Sequence, residues 1–131
     1  MERTAVNPWT WSVNLGFDQA QLVEGRRREL ICSGQDAVDA DGNPQHPGDM
    51  AAQLGLALDN LEAVLAGAGM TLADVVRLNI YTTDVDGLLP HFTTVAERFE
   101  GTGQRFASTL LGVARLVSPQ LLVALEATAM D

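Results

Sequence analysis

Asp74-Val-Val-Arg-Leu-Asn-Ile-Tyr-Thr-Thr83 decides the fold, because β-branched residues fill it and the segments on either side are helical in pattern. Upstream, Leu54, Leu58, Leu61 and Leu65 recur three or four apart, and Ala57 and Val64 widen the same apolar face. That spacing predicts a helix able to cover a sheet. Asp49 can cap its start by accepting an unused amide hydrogen, and Gly67 and Gly69 end it by allowing left-handed backbone geometry. Downstream, Leu88, Leu89, Phe92, Val95, Ala96 and Phe99 mark a second amphipathic helix over 88–99, for which Asp84 or Asp86 can supply the cap.

Working outward, residues 19–23 and 29–33 read as a strand hairpin joined by the charged turn Glu24-Gly-Arg-Arg-Arg28. Residues 36–48, with Asp39, Asp41, Gly42, Pro44 and Pro47, read as a loop. Past Gly101-Thr-Gly103, residues 107–115 and 121–130 read as two further strands separated at Val117-Ser-Pro119. The order β-β-α-β-α-β-β predicts an α+β fold, a mixed sheet covered on one face by two helices. The other face still carries apolar side chains, which a closed dimer or trimer would bury. Residues 1–18 lack a clean period and read as an N-terminal arm of a single domain spanning 1–131. Trp9 and Trp11 in that arm need apolar cover from the domain, a neighbouring subunit or an aromatic ligand.

Composition narrows the chemistry. None of the 131 residues is lysine, so a Schiff base between the protein and a carbonyl substrate or pyridoxal phosphate is excluded. The formal charge of -9 opposes nucleic acid and anionic membranes, and Arg26-Arg27-Arg28 reads as a solvated turn. No G-x-x-x-x-G-K or G-x-G-x-x-G element supports nucleotide binding. A single cysteine, Cys32, rules out an internal disulfide and reads as an inert strand thiol, while His46 and His91 lack the spacing of a metal site. No stretch of roughly 18 apolar residues could span a bilayer, and no leader is recognisable, so a cytoplasmic protein is expected.

Glu126 stands out because Leu121-Leu-Val-Ala-Leu-Glu-Ala-Thr-Ala-Met130 is otherwise apolar or small. Strand alternation puts it on one side with Leu122, Ala124, Thr128 and Met130, and its small neighbours leave room beside the carboxylate. Such a group either handles protons for a bound molecule or pairs with an arginine such as Arg115. Ser33-Gly34-Gln35 ends a strand with a hydroxyl, a glycine and an amide, a set able to present hydrogen-bonding groups to a small molecule.

Five stretches taken in order resemble the RidA/YjgF family of reactive-intermediate deaminases: Cys32-Ser-Gly-Gln35, Asp59-Asn-Leu-Glu-Ala-Val-Leu65 ahead of Gly67-Ala-Gly69, 74–84, Val113-Ala-Arg-Leu116 and Leu125-Glu-Ala-Thr-Ala129. The resemblance implies a chorismate-mutase-like subunit forming a homotrimer, with small-molecule clefts between subunits and no cofactor. It implies hydrolysis of an imine or enamine, with Glu126 positioning and activating the water. The family's carboxylate-gripping arginine falls on Ser108, eight residues before the leucine of V-A-R-L. A cleft tyrosine falls on Phe17 and a cleft asparagine on Asp86, whereas Ser33 and Gly34 match. A hydroxyl in place of a guanidinium removes a bidentate clamp, so the usual 2-imino acids are expected to be poor substrates unless Arg105 reaches in as a substitute. A tautomerase or cyclase using Glu126, and a noncatalytic binding trimer, remain the alternatives.

Overall fold

The computed structural model describes residues 1–131. In chain order its elements are β1 (Glu2–Val6), β2 (Ala20–Glu24), β3 (Glu29–Ile31), β4 (Gln35–Asp36), α1 (Met50–Gly67), β5 (Val75–Thr82), α2 (Val85–Leu88), α3 (Phe92–Glu100), β6 (Ala107–Gly112) and β7 (Val123–Met130). The main sheet is mixed: β5 is central, antiparallel to β7 and parallel to β6, while β3 and β4 follow one another along the outer edge of β7.

Period-two alternation in β5 and β7 sorts the two faces. Leu78, Ile80, Leu125, Ala127 and Ala129 turn inward, where Leu54, Leu58, Leu61 and Leu65 of α1 complete one apolar core. Each buried leucine or isoleucine contributes about 1.5–3 kcal/mol by leaving water, so α1 is held by its leucine face. Asp49 caps this helix as anticipated, accepting from the Ala52 amide at 3.0 Å. Phe99 of α3 meets Phe106, just ahead of β6, with ring centroids 4.4 Å apart.

Three local expectations are corrected. The second helix is not continuous: Asp84 caps α2, and a 3-10 turn, Leu89–His91, separates it from α3. Pro90 lies in that turn, and a ring without an amide hydrogen interrupts regular helix. Residues 36–48 are not wholly loop, since Asp36 belongs to β4. Finally, β2 and β3 make no hairpin with each other. β2 pairs with β1, which arises within the expected arm, and β3 pairs with β7. The connection between them leans on the other end of the chain instead, the Arg27 and Arg28 amides donating to the Asp131 carbonyl.

β1 is fastened by polar groups. Arg3 donates to the carbonyls of Ala73, Val75 and Arg105 and to Gln21 Oε1. Asn7 donates to Asp18, and a parallel bridge from Asp18 to Ala107 joins this ladder to the start of β6.

Candidate functional site

The sheet face turned away from α1 forms a grid whose rows follow from strand pairing, because directly opposed residues share a face. One row runs Ile31, Thr128, Arg77, Ala107. The next has Glu126, Asn79 and Thr109, and a third runs Asp36, Ala124, Tyr81, Leu111. Between the first and third rows the β7 edge is irregular. Ile31 opposes Thr128 and Gln35 opposes Leu125, so four steps of one strand, 31 to 35, answer three of the other, 128 to 125. The extra residue falls in Cys32-Ser33-Gly34, a bulge lying alongside Glu126. Cys32 turns into the core, leaving Ser33 and Gly34 exposed.

Glu126 is held by two donors from β5. The Tyr81 hydroxyl reaches Oε1 at 2.9 Å and the Asn79 amide reaches the same oxygen at 3.2 Å. Oε2 has no protein donor, and no arginine forms an ion pair with this carboxylate. The arrangement fixes one oxygen and leaves the other available to a water or a bound molecule. The contact holds the proton of Tyr81 above the ordinary tyrosine range, the hydrogen bond to Glu126 being the first cause and desolvation the second. Asn79 Oδ1 is buried without a donor.

The other residues singled out from the sequence are distributed differently. Ser33 and Gly34 flank Glu126 through the bulge. Ser108 turns toward the helix side, donating its hydroxyl to the Leu78 carbonyl at 2.7 Å. Asp86 is exposed in the first turn of α2. Phe17 packs against the core and meets Trp11 edge-on, with centroids 5.9 Å apart and planes at 84°. Trp11 itself is 57% exposed and Trp9 64%. Arg105 is engaged by the buried Asp18, Nε to Oδ1 at 2.7 Å, and the same carboxylate accepts from Asn7 and Gln21. The Arg105 Nε is thus committed to Asp18.

Asn79, Tyr81 and Asp36 escaped the sequence reading. The first two were detectable as the polar positions alternating with Leu78 and Ile80 in the central strand. Asp36 was hidden in a stretch read as loop. No group of three or more His, Cys, Asp and Glu side chains is gathered into a metal ligand set.

A separate concavity of about 550 Å³ lies between residues 13–16 and α3, floored by Phe92, Ala96 and Phe99. Gly16 allows this approach: its φ is 96°, and a Cβ there would come within 3.1 Å of the Ala96 Cβ.

Residues 18–131 match a family model described as Endoribonuclease L-PSP. Over 86 residues the chain is 46% identical to the mitochondrial protein mmf2 of Schizosaccharomyces pombe, covering 66% of this chain and 64% of that one. Over 96 residues it is 29% identical to the 2-iminobutanoate/2-iminopropanoate deaminase of Escherichia coli, covering 73% and 62%. The match thus spans under two thirds of the length of both curated relatives. The crystal structure of YyfB from Yersinia pestis, a Rid-family protein of unknown function, superposes with a TM-score of 0.90 at 36% identity over 100% of both chains.

Proposed function

We propose, for a chain that belongs to the Endoribonuclease L-PSP family of YjgF/RidA proteins, the cofactor-independent hydrolysis of a small imine or enamine to a carbonyl compound and ammonia or an amine. The observation that carries this reading is the held carboxylate of Glu126, fixed through Oε1 by Tyr81 and Asn79 and uncompensated by arginine. A water set by the free oxygen attacks the carbon of C=N, and the nitrogen leaves once protonated. A relative at 29% identity is named an iminobutanoate and iminopropanoate deaminase, which supports the reaction class.

The preferred substrate is a neutral or weakly acidic imine, since Ser108 stands where a guanidinium would hold a carboxylate. Phe17, Ser33, Gly34, Asp86 and Ser108 are assigned to the substrate cleft, with Phe17 covering it. Because Ser108 and Glu126 lie on opposite sides of the sheet, that cleft is completed by a neighbouring copy, in a homotrimer. No helix is long and apolar enough to cross a membrane, and action in the cytoplasm is proposed, although one relative is named as mitochondrial.

The test is a semicarbazide-trapping assay of freshly generated acidic and neutral imines, run on the native protein and Glu126→Gln. Faster loss of neutral imines, with the variant slowed by about 100-fold or more, is the expected result. An inert native protein across the panel rules out imine hydrolysis, and equal turnover by the variant removes Glu126 from the role.

A further inference from the structure

Asp36 occupies a position that the family resemblance did not single out. β4 places it directly opposite Ala124, one strand step from Glu126 on the same face. Its neighbour Ala37 is fully buried, so alternation sends the Asp36 side chain to the opposite side, the face that carries Glu126. Residues diagonal across an antiparallel pair stand about 7–8 Å apart, and Ala124, the residue between, fills little of that gap. Asn60 of α1 holds the strand by donating to the Asp36 and Val38 carbonyls at 2.8 and 3.0 Å, while the Asp36 carboxyl itself has no hydrogen-bond partner in the chain.

We propose that Asp36 is the second proton-handling group of this site, giving a proton to the substrate nitrogen while Glu126 takes one from the attacking water. The assignment rests on the imine-hydrolase reading above and divides its chemistry between two carboxyls. In the first step the water oxygen bonds to the imine carbon and Glu126 Oε2 receives a water proton. The C=N π pair moves to nitrogen, which takes the Asp36 proton, leaving a neutral carbinolamine. In the second step the carbinolamine hydroxyl returns a proton to Asp36 as the C=O bond forms. The C–N bond breaks with its pair on nitrogen, which takes the proton held by Glu126 and leaves as ammonia or amine. Both carboxyls end as they began.

The surroundings suit the division. Glu126 accepts two hydrogen bonds through Oε1, whereas the Asp36 carboxyl accepts none. Desolvation pushes the Asp36 carboxyl above the ordinary aspartate value of 3.8, so it keeps its proton to higher pH. Neighbouring groups in unlike surroundings can divide acid and base roles. The titratable and charged groups on this face are Arg77 and Tyr81 of β5 and, farther along, Glu29 of β3, which pairs with Arg26; β6 contributes only Ala107, Thr109 and Leu111, and Ser33 and Gly34 of the bulge carry no charge. Asn79 Oδ1, buried without a donor, is an acceptor that an N–H of the departing nitrogen would satisfy.

The test compares native protein with Asp36→Asn on the same neutral imines across pH, alongside carbon-13 titration of the Asp36 carboxyl. Because that carboxyl bonds to nothing in the chain, the amide should leave the fold intact, as a thermal unfolding curve would confirm. The expected result is a fall in kcat of about 100-fold with KM little changed. The native loss of activity at high pH should disappear in the variant, and added acetic acid should restore part of the rate. Native-like turnover and an unchanged alkaline limb in Asp36→Asn, beside an active native protein, would overturn the Asp36 assignment alone. So would an Asp36 carboxyl titrating at or below 3.8. A native protein inert toward every imine would instead remove the hydrolase reading, and this division of roles with it.

Discussion

Tyr81 and Glu126, 45 residues apart in the chain, meet across adjacent strands with the phenol donating to Oε1 at 2.9 Å. One donor from the central strand thus anchors the carboxylate from the last strand. The anchor works because both side chains leave the same sheet face one row apart: Glu126 opposes Asn79, and Tyr81 is the next residue of β5 on that side.

The chain contains a single tyrosine, so phenolate absorbance reports this contact directly. Tyr81 should ionise above the ordinary value of 10.0, and Glu126→Gln should bring it back down, because the hydrogen bond to Glu126 is the largest cause of the rise. A group with a raised folded value lends stability that is whole below its unfolded value and is lost as pH rises through the folded one. The native protein should therefore lose stability as pH rises through the Tyr81 ionisation, and Glu126→Gln should lose less over that range. Identical phenolate curves for the two proteins would contradict the contact.

Gln53 is fully buried in α1 and ties three segments together. It donates to the carbonyls of His46 and Gln120, at 3.2 and 2.8 Å, and accepts from the Leu122 amide at 2.8 Å. Gln53→Leu preserves bulk but strands those groups, which should cost about 3 kcal/mol. Urea unfolding measures this, and a loss below about 1 kcal/mol would mean that water replaces the amide.

Asp18 and Arg105 test whether the arginine near Ser108 is structural. Asp18→Ala removes the acceptor shared by Asn7, Gln21 and Arg105 and should destabilise the fold by about 3 kcal/mol. Arg105→Ala should change imine turnover by less than about twofold, because its Nε is committed to Asp18. A large rise in KM for acidic imines alone would show that Arg105 binds their carboxylate after all.

Cys32 should be inert in the native state. Burial pushes its thiol up from the ordinary value, and only 5% of the residue is exposed. Iodoacetamide at neutral pH should label it no faster than the protein unfolds, while denaturant should bring immediate reaction. Rapid labelling of folded protein would place the thiol at the surface.

Local pattern made most of the fold legible. The leucine spacing of α1, its Asp49 cap and the alternation of β5 each follow from residues a few positions apart, so a linear reading finds them. Partner choice is a different matter. Instead of forming a hairpin, β2 pairs with β1 and β3 pairs with β7, and β7 lies at the far end of the chain from β3. Pro90 is a local helix breaker set within an apolar period that otherwise favours one continuous helix.

From its residues alone, this protein was bound to be an acidic α+β chain with an unusual carboxylate on its last strand and no lysine to make a Schiff base. Composition, period and caps are properties of neighbours along the backbone. What surrounds that carboxylate was settled only by folding: Tyr81 and Asn79 at one oxygen, a bulge alongside, Asp36 on the next row and Arg105 bound to Asp18. Those contacts depend on strand register, and a shift of one residue would turn every one of the strand's side chains to the other face.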